Sequence, residues 1–364
     1  MKTFINILTG LFLLTSCANI VAPTGGDKDM SAPRLLNVEL LQSTNDKKTK
    51  TIIFEFDEYI QLNNFENYFY ISPPLQGVTK KQIKGKELYI FLDDVLDEKT
   101  TYQVVLHYCV MDYNEENILD TLSYRFSLND TLDTLTLSGR LEDAYTLNIL
   151  DNVWVMLFNE DISDSLIFNA IPDYISKTDK SGFFNFPNLK YKNYKITALT
   201  EDDFFYNKNE KIAFSDSLLN PKLDSFIVLY AFDPTFIYDS LVVDSIVEEL
   251  DTIINFNKDT ISKEQLSNFG NLEIYTNKNS SCIFQLLQNG VVKREVYFSQ
   301  KPYLIKKVKA GMYNLKYISD NNQDSVWNTG SWSLKIQPEK VVNYPAEINI
   351  RSNWDLELDW TIEY

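Results

Sequence analysis

The fold of the first third of the chain is indicated by the stretch TIIFEFD at residues 51–57. From Ile52 onward apolar residues alternate with others, so Ile52, Phe54 and Phe56 fall on one face of an extended strand. Similar short runs, LYIFL, TYQVVLHY and YRFS, follow at residues 88–92, 101–108 and 124–127. Short strands separated by turn residues predict a β-sandwich over residues 31–130.

A second unit of the same class is predicted over residues 131–232. It contains LTLSGRL at 135–141 and the continuous apolar run VWVMLF at 153–158, which is typical of a fully buried strand. The segment TDKSGFFNF follows at 178–186. Within it Asp179 and Gly182 predict a tight turn, because aspartate bonds nearby backbone and glycine accepts a positive φ.

The last part of the chain, residues 271–364, repeats a pattern of the second unit at an offset of 119 residues. Four pairs agree in order: Leu189 with Val308, Tyr194 with Tyr313, Ile196 with Leu315, and Ala198 with Tyr317. In both copies alternate residues point inward, as in a half-buried strand. The sequence therefore predicts an all-β protein of three tandem β-sandwich modules, the third of the same type as the second.

Residues 233–270 separate the second and third units and are acidic. They contain eight Asp and Glu residues against Lys258 and Lys263, with apolar residues at 241–243 and 253–254. One interpretation is a solvated acidic connector. The alternative is an extended segment that adds a strand to a neighbouring sheet.

Composition excludes several classes of function. The 364 residues include 34 Lys and Arg against 51 Asp and Glu, a formal net charge of −17. Such a field repels phosphate backbones, so we expect no nucleic-acid partner. The single histidine, His107, and the three cysteines, Cys17, Cys109 and Cys282, cannot form a multi-histidine or cysteine-rich zinc site.

Catalytic motifs are absent from the sequence: there is no Gly-x-Ser-x-Gly, Walker loop or His-Glu-x-x-His. His107 and Cys109 are expected on one face of one strand, pointing in parallel and serving as packing or surface residues. Carboxylates are abundant enough to supply a catalytic pair, but three units of about 100 residues leave no obvious room for a deep catalytic cleft. We therefore expect no enzyme. We also expect no structural disulfide, because Cys109 and Cys282 fall in different units.

One local signal suggests a cation. Asp320, Asn322 and Asp324 match the oxygen donors at positions 1, 3 and 5 of a calcium loop, and Asn328 stands at position 9. The glycine and glutamate usual at positions 6 and 12 are replaced by serines. We therefore expect a turn made by Asp and Asn side chains, with no metal or other cofactor, and calcium binding is the alternative.

The first residues are typical of a secretory signal: Met1 and Lys2, a short apolar stretch, and LTSC at residues 14–17. LTSC resembles the lipobox of bacterial lipoproteins. That resemblance implies a signal peptide over 1–16, acyl chains such as palmitate on Cys17, and a membrane lipid as partner. Residues 17–30 would form a lipidated flexible tether. The alternative is an ordinary signal peptide with a chance cysteine.

Five segments resemble, in order, a bacterial Ig-like module of surface-layer and envelope proteins: AP at 32–33, IFEFDE at 53–58, LDEKTTY at 96–102, VMDYN at 110–114 and YRFS at 124–127. The order of strands and turns in the second unit resembles the transthyretin-like or carboxypeptidase-regulatory β-sandwich. Modules of that type serve mostly as spacers and scaffolds.

Nearly the whole chain resembles the Ig-like-domain lipoproteins of Bacteroidota-type Gram-negative bacteria, through LTSC and three further segments, PTGGDKD at 23–29, WNTGSW at 327–332 and IRSNWDLEL at 350–358. The resemblance implies an outer-membrane lipoprotein that acts as a structural or protein-interaction scaffold in the cell envelope, with envelope proteins as partners. The alternative is a lipoprotein that captures glycan or peptide at the cell surface.

The residues after Cys17 bear on which side of the membrane the protein faces. Residues 18–22 are not acidic, the first acid being Asp27, and surface-displayed lipoproteins of this bacterial group resemble one another in carrying acids directly after the cysteine. Ala18 also differs from the aspartate that retains other Gram-negative lipoproteins in the inner membrane. The resemblance therefore favours the periplasmic side of the outer membrane over surface display or inner-membrane retention.

Overall fold

A computed structural model describes residues 28–42, 49–77, 79–129, 132–201, 204–207, 209–237 and 268–363. Their regular structure is almost entirely β-strand, apart from the one-turn helix α1 (Phe65–Tyr68) and a 3₁₀ turn at Ile167–Asn169. Within these ranges no helix is long and apolar enough to cross a bilayer. The all-β prediction is confirmed.

The first sandwich consists of nine strands, β1 (Leu35–Gln42), β2 (Thr49–Phe56), β3 (Ile60–Leu62), β4 (Phe69–Ser72), β5 (Thr79–Lys84), β6 (Glu87–Asp93), β7 (Thr101–Leu106), β8 (Val110–Asp112) and β9 (Leu122–Ser127). One sheet has the order β1-β2-β6-β5 and the opposing sheet the order β4-β7-β9, with β3 and β8 paired separately. Ile52, Phe54 and Phe56 are completely buried between the sheets, as the alternation predicts.

The second sandwich consists of seven strands, β10 (Leu135–Asp143), β11 (Trp154–Asn159), β12 (Tyr174–Lys177), β13 (Phe183–Leu189), β14 (Tyr194–Leu199), β15 (Ile212–Phe214) and β16 (Phe226–Ala231). Its two sheets have the orders β13-β10-β16 and β12-β11-β14-β15. The strand β16 runs parallel to β10, whereas the other pairs are antiparallel.

The third sandwich consists of eight strands, β17 (Phe269–Thr276), β18 (Cys282–Gln288), β19 (Val291–Phe298), β20 (Tyr303–Lys309), β21 (Gly311–Ser319), β22 (Val341–Asn343), β23 (Ile348–Ile350) and β24 (Asp355–Trp360). The sheets have the orders β20-β17-β24 and β19-β18-β21-β22, with β23 also paired to β21. Here β24 runs parallel to β17, in the place that β16 has beside β10.

The internal repeat predicted from the sequence is confirmed by this shared strand order. A side-chain contact repeats as well: the Tyr194 hydroxyl donates to the carbonyl of Lys190 at 3.0 Å, and the Tyr313 hydroxyl donates to the carbonyl of Lys309 at 2.9 Å. Each tyrosine thereby ties the start of a central strand to the end of the strand before it. The offset of 119 residues is thus an offset between equivalent structural positions.

The second and third sandwiches share an apolar core that lies outside either sandwich's own interior. We call it the inter-sandwich core. Its buried members come from the outer faces of sheets β12-β11-β14-β15 and β19-β18-β21-β22 and from nearby loops, namely Ala144, Trp154, Met156, Phe158, Ile167, Ile175, Leu199, Ile212, Phe214, Phe232, Ile283, Ile318, Trp327 and Val341. Tyr70 of the first sandwich packs against the same cluster.

The strand β11 shows how this core is encoded. Val155 and Leu157 point into the second sandwich, whereas Trp154, Met156 and Phe158 point the other way into the inter-sandwich core. A strand buried on both faces reads as a continuous apolar run instead of an alternating one. This explains the unbroken VWVMLF at 153–158.

Polar contacts also join the second and third sandwiches. The ammonium of Lys316 donates to the carbonyl of Tyr145 at 2.9 Å and lies 4.5 Å from the centre of its ring. The side-chain amide of Gln285 donates to the Tyr145 hydroxyl at 3.0 Å. Burial lowers the pKa of Lys316 to about 8, and the negative charge of Asp143 opposes that shift. These bonds fix the lateral position of the two sandwiches, which apolar contact alone leaves free.

The signal peptide, Cys17 and most of the tether lie outside the described residues, as do residues 238–267 of the acidic connector. The two interpretations of that connector therefore stay predictions.

Truncation of Ile318 tests the inter-sandwich core. Ile318 is 0% exposed and contributes to no other core, so Ile318→Ala should lower the free energy of unfolding by about 2–5 kcal/mol. The loss should appear in urea denaturation followed by tryptophan fluorescence. Leu334→Ala, at a side chain that is 70% exposed, is the matched control and should change little. An Ile318→Ala protein as stable as the control would contradict the packing described.

Candidate functional site

A cleft of about 510 Å³ lies between the first and second sandwiches. Tyr102, Val104 and Leu106 of β7 point into the first sandwich, so the alternate residues of β7 face the other way, into the cleft. The side chains that line it on this side also come from β9, and those on the other side come from β12, β13 and the turn between them. The volume is within the range of about 300–1,000 Å³ that is usual for ligand pockets.

Side-chain hydrogen bonds hold the two walls together where the β-ladders stop. Strands β4 and β12 lie edge to edge, and the Ser72 hydroxyl accepts a hydrogen bond from the buried backbone N–H of Ile175 at 3.0 Å. The ammonium of Lys177 donates to the carbonyl of Asn67 at 2.8 Å, and that of Lys190 donates to the Thr100 hydroxyl at 2.7 Å. These bonds therefore fix the two walls of the cleft relative to each other.

Ring contacts reinforce this junction. Tyr70 of the first sandwich meets Trp154 of the second edge to face, with ring centroids 5.5 Å apart. The Lys177 ammonium lies 4.5 Å from the centre of the Trp154 ring. Because Trp154 belongs to the inter-sandwich core, the junction of the first two sandwiches is continuous with that of the second and third.

Cationic groups line or flank the cleft. Arg125 of β9 is exposed, and its guanidinium reaches the buried side-chain oxygen of Asn188 at 3.4 Å, across the cleft. Lys177 lines the floor, and the Lys180 ammonium lies 4.7 Å from the centre of the Tyr108 ring. Arg125 and Lys180 are exposed and Lys177 is buried, so Arg125 is the exposed cation that lines the cleft.

The carboxylate of Asp179 also lines the cleft, and one of its two oxygens, Oδ1, is held by the turn that contains it. This oxygen accepts hydrogen bonds from the backbone N–H of Ser181 at 2.8 Å and of Phe183 at 3.0 Å, and from the Ser181 hydroxyl at 2.7 Å. Burial alone would raise the pKa of Asp179, and these bonds from Ser181 and Phe183 lower it below its usual value. Gly182 has a φ of +71°, so the turn predicted from the sequence is confirmed.

The expectation that His107 and Cys109 share one face of one strand is wrong. The strand β7 ends at Leu106, and Tyr108 has a φ of +51°, which breaks the alternation. His107 therefore lines the cleft and hydrogen-bonds through Nδ1 to the Thr121 hydroxyl, whereas Cys109 lies in the core of the first sandwich. Burial lowers the pKa of His107, so its imidazole is neutral at neutral pH.

The two described cysteines are unpaired thiols in separate cores, Cys109 in the first sandwich and Cys282 in the third. They are not joined to each other in the structure. Burial raises the pKa of each thiol to about 12, so both are protonated and poor nucleophiles at neutral pH. The predicted lipidation site, Cys17, lies outside the described residues.

The candidate calcium loop folds as a turn held by its own side chains. The carboxylate of Asp320 accepts hydrogen bonds from the backbone N–H of Asp324 at 3.2 Å and of Ser325 at 3.1 Å. The side-chain amides of Asn322 and Asn328 donate to Asp324 at 2.8 and 3.0 Å, and the buried oxygen Asn328 Oδ1 has no partner. Within the described ranges no group of three or more His, Cys, Asp or Glu residues is arranged to hold a metal ion. The absence of a cofactor stays a prediction, with calcium binding as its alternative.

The cleft was not predicted from the sequence. Its defining contacts join residues about 100 positions apart, such as Ser72 with Ile175 and Lys177 with Asn67, and no local pattern specifies them. One signal was available in the sequence: Val104, Val105 and Leu106 are consecutive apolar residues, so the outward side of β7 carries an apolar residue that needs a cover. In the structure Val105 is 4% exposed.

Residues 29–128 match the protein family described as the bacterial Ig-like domain. The match covers the strands of the first sandwich and confirms an Ig-like module at that position. None of the curated protein sequences matches the chain.

Several solved structures share a distant likeness. The Bacillus anthracis TIE protein is 11% identical, with 94% of this chain and 59% of that one covered and a TM-score of 0.19. A three-domain part of α2-macroglobulin from Escherichia coli is 12% identical, with coverages of 79% and 94% and a TM-score of 0.22. The group B streptococcus pilus 2b backbone protein is 10% identical, with coverages of 55% and 98% and a TM-score of 0.18. The chain thus spans less than two thirds of the TIE structure. TM-scores this low support no inference about function.

Removal of the Ser72 hydroxyl tests the junction at the cleft. Ser72→Ala leaves the buried N–H of Ile175 without its partner, which should cost about 1–3 kcal/mol. Amide exchange at Ile175, measured by NMR, should accelerate accordingly. Ser225→Ala, at an exposed serine of the second sandwich, is the control and should leave that exchange rate unchanged. Equal exchange in the two variants would show that the Ser72 bond is not formed.

Replacement of Asp320 tests the role of its loop. Asp320→Ala leaves the Ser325 N–H without its acceptor and the Asp324 N–H with only the Asn322 side-chain oxygen, at 3.3 Å. It should lower stability by about 1–3 kcal/mol, equally in millimolar calcium and in a chelator. The measurement is the melting temperature of each protein under both conditions, with Asn321→Ala, at the exposed neighbouring position, as control. A calcium-dependent rise of several degrees in the wild type, lost in Asp320→Ala, would instead establish a calcium site.

Proposed function

We propose that the chain is a lipid-anchored, non-catalytic scaffold of the bacterial cell envelope, which holds three β-sandwiches as one rigid unit for contact with other envelope proteins. The observation that carries the proposal is the inter-sandwich core, to which all three sandwiches contribute or pack. Domains joined only by linkers move relative to one another unless the interface is large and apolar. A protein with such interfaces presents its surfaces at fixed distances and orientations.

The absence of an assembled catalytic centre among the described residues supports a non-catalytic role. The His107 imidazole hydrogen-bonds to the Thr121 hydroxyl, but no carboxylate among the described residues is hydrogen-bonded to that imidazole to orient it as a base. Both described thiols are buried and protonated. Among the described residues that line the cleft there is one carboxylate, Asp179, and its Oδ1 is engaged in its own turn. A pair of carboxylates of the kind used in glycoside hydrolysis is not formed there.

The membrane anchor is proposed from the sequence. LTSC at 14–17 follows a short apolar stretch, and residues 18–30 separate Cys17 from the first strand. Acylation of Cys17 would tether the first sandwich to the outer membrane of a Gram-negative, Bacteroidota-type cell. The lack of acidic residues at 18–22 favours an orientation into the periplasm.

The runner-up function, capture of glycan or peptide at the cell surface, would be favoured by a cluster of exposed tryptophan and tyrosine on one sandwich. Trp154, Trp327 and Trp360 are buried, whereas Trp354 is 61% exposed. Strongly exposed tyrosines occur on all three sandwiches, at Tyr59 and Tyr113, Tyr191, and Tyr275. Most of the aromatic content thus fills cores, which favours the scaffold.

Replacement of the predicted lipidated cysteine tests the anchor. In Cys17→Ala no thiol is available for acylation, so the protein should leave the membrane fraction after a carbonate wash. Cys109→Ala removes a buried thiol of the first sandwich and serves as the control, which should stay in the membrane fraction. Retention of Cys17→Ala in the membrane would contradict a lipid anchor at this residue.

The orientation is tested by proteinase treatment of intact cells. If the sandwiches face the periplasm, the protein should resist digestion until the outer membrane is permeabilised. Digestion without lysis would refute the periplasmic orientation while leaving the anchor intact. A crosslinking pull-down from the native membrane would then identify the envelope proteins in contact with the scaffold.

A further inference from the structure

The cleft between the first two sandwiches has the properties of a preformed ligand site. Its walls are fixed by the bonds from Ser72, Lys177 and Lys190 described above, so a ligand need not order them on binding. Phe183, which is 39% exposed, and Pro187 supply apolar surface on one wall. A concave site with apolar walls and a few directed polar groups is the usual form of a small-molecule pocket.

The residues that line the cleft are richer in positive charge than the chain as a whole. The chain as a whole carries a net charge of −17, yet the cleft presents the exposed guanidinium of Arg125 and the ammonium of Lys177. The ammonium of Lys177 is directed at the carbonyl of Asn67, so Arg125 is the cation that a ligand can reach. The guanidinium of Arg125 makes one hydrogen bond across the cleft, to Asn188 at 3.4 Å. Because a guanidinium has five N–H donors, others are left for a ligand.

An Arg fork of this kind recognises a planar carboxylate with two parallel hydrogen bonds. Phosphate is recognised in a similar way, but the carboxylate of Asp179 faces the same cleft and that of Asp120 interacts electrostatically with His107 beside it. Two fixed negative charges disfavour a dianion more than a monoanion. The site therefore favours a single carboxylate attached to a small body that can lie against Phe183 and Pro187.

We propose that this cleft binds a small carboxylate-bearing ligand, with Arg125 pairing with the carboxylate and Phe183 and Pro187 packing against the rest of the molecule. The volume of about 510 Å³ fits a ligand of the size of a short peptide or a disaccharide. A carboxylate of this size is supplied by the end or an acidic side chain of a peptide, or by a uronic acid of a glycan. This function is additional to the scaffold and does not depend on the membrane anchor.

The test is calorimetric titration of the full chain in detergent with two probes that each carry one carboxylate, the tripeptide N-acetyl-Ala-Phe-Ala with a free carboxyl end and the disaccharide in which glucuronic acid is linked to glucose. Saturable binding of either probe is expected, and the one that binds identifies the source of the carboxylate. Arg125→Gln should weaken that binding by about 10-fold or more, because a hydrogen-bonded pair with a charged group is lost. Inorganic phosphate should bind more weakly than the better probe.

Two further variants distinguish the loss of binding at the cleft from a general effect of a substitution on binding. Arg140→Gln removes an exposed arginine of β10 that does not line the cleft, and it should bind as the wild type does. Ser123→Trp fills the cleft from the exposed face of β9 without changing its charge, and it should abolish binding while the melting temperature is retained. The proposal is overturned if neither probe binds at millimolar concentration, if binding survives both cleft substitutions, or if phosphate binds more tightly than both carboxylates.

Discussion

The arrangement of the protein depends on apolar strands that are buried on both faces. In β11 the side chains of Val155 and Leu157 fill the second sandwich, and those of Trp154, Met156 and Phe158 require a cover on the other side. The third sandwich supplies it with Ile283, Ile318 and Trp327. Without this cover the second sandwich would expose a contiguous apolar patch, which monomeric proteins rarely tolerate. The second and third sandwiches therefore share one core and are not independent domains joined only by a linker.

The first sandwich is joined to this assembly by different means. Its junction uses the hydroxyl of Ser72, the ammonium groups of Lys177 and Lys190, and the ring contact of Tyr70 with Trp154. A junction made largely of directed polar contacts excludes less water than an apolar core, and it leaves the cleft open beside it. The proposed scaffold role depends on the rigidity of both junctions. The proposed ligand site depends only on the polar one.

Much of the fold could be predicted because it depends on local patterns. The alternation at 51–57, the turn at Asp179 and Gly182, and the repeat that relates Tyr194 to Tyr313 each have a physical signature in the sequence. The packing of sandwich on sandwich was not predicted, since the run at 153–158 indicates a buried strand without indicating what buries it. The positive φ of Tyr108, which separates His107 from Cys109, likewise has no signal in residue type. The cleft could not be predicted from local patterns either, because its walls are held together by residues about 100 positions apart in the sequence.

The central claim is that the three sandwiches form one rigid unit, and a distance measurement tests it most directly. Spin labels can be placed at Val95 in the first sandwich, 68% exposed, and at Leu334 in the third, 70% exposed, in protein carrying Cys17→Ala. The two remaining native thiols, Cys109 and Cys282, are buried. Pulsed electron paramagnetic resonance should then give a single narrow distance distribution, no wider than the labels themselves produce. A broad or multimodal distribution would show that the sandwiches move independently and would contradict the account.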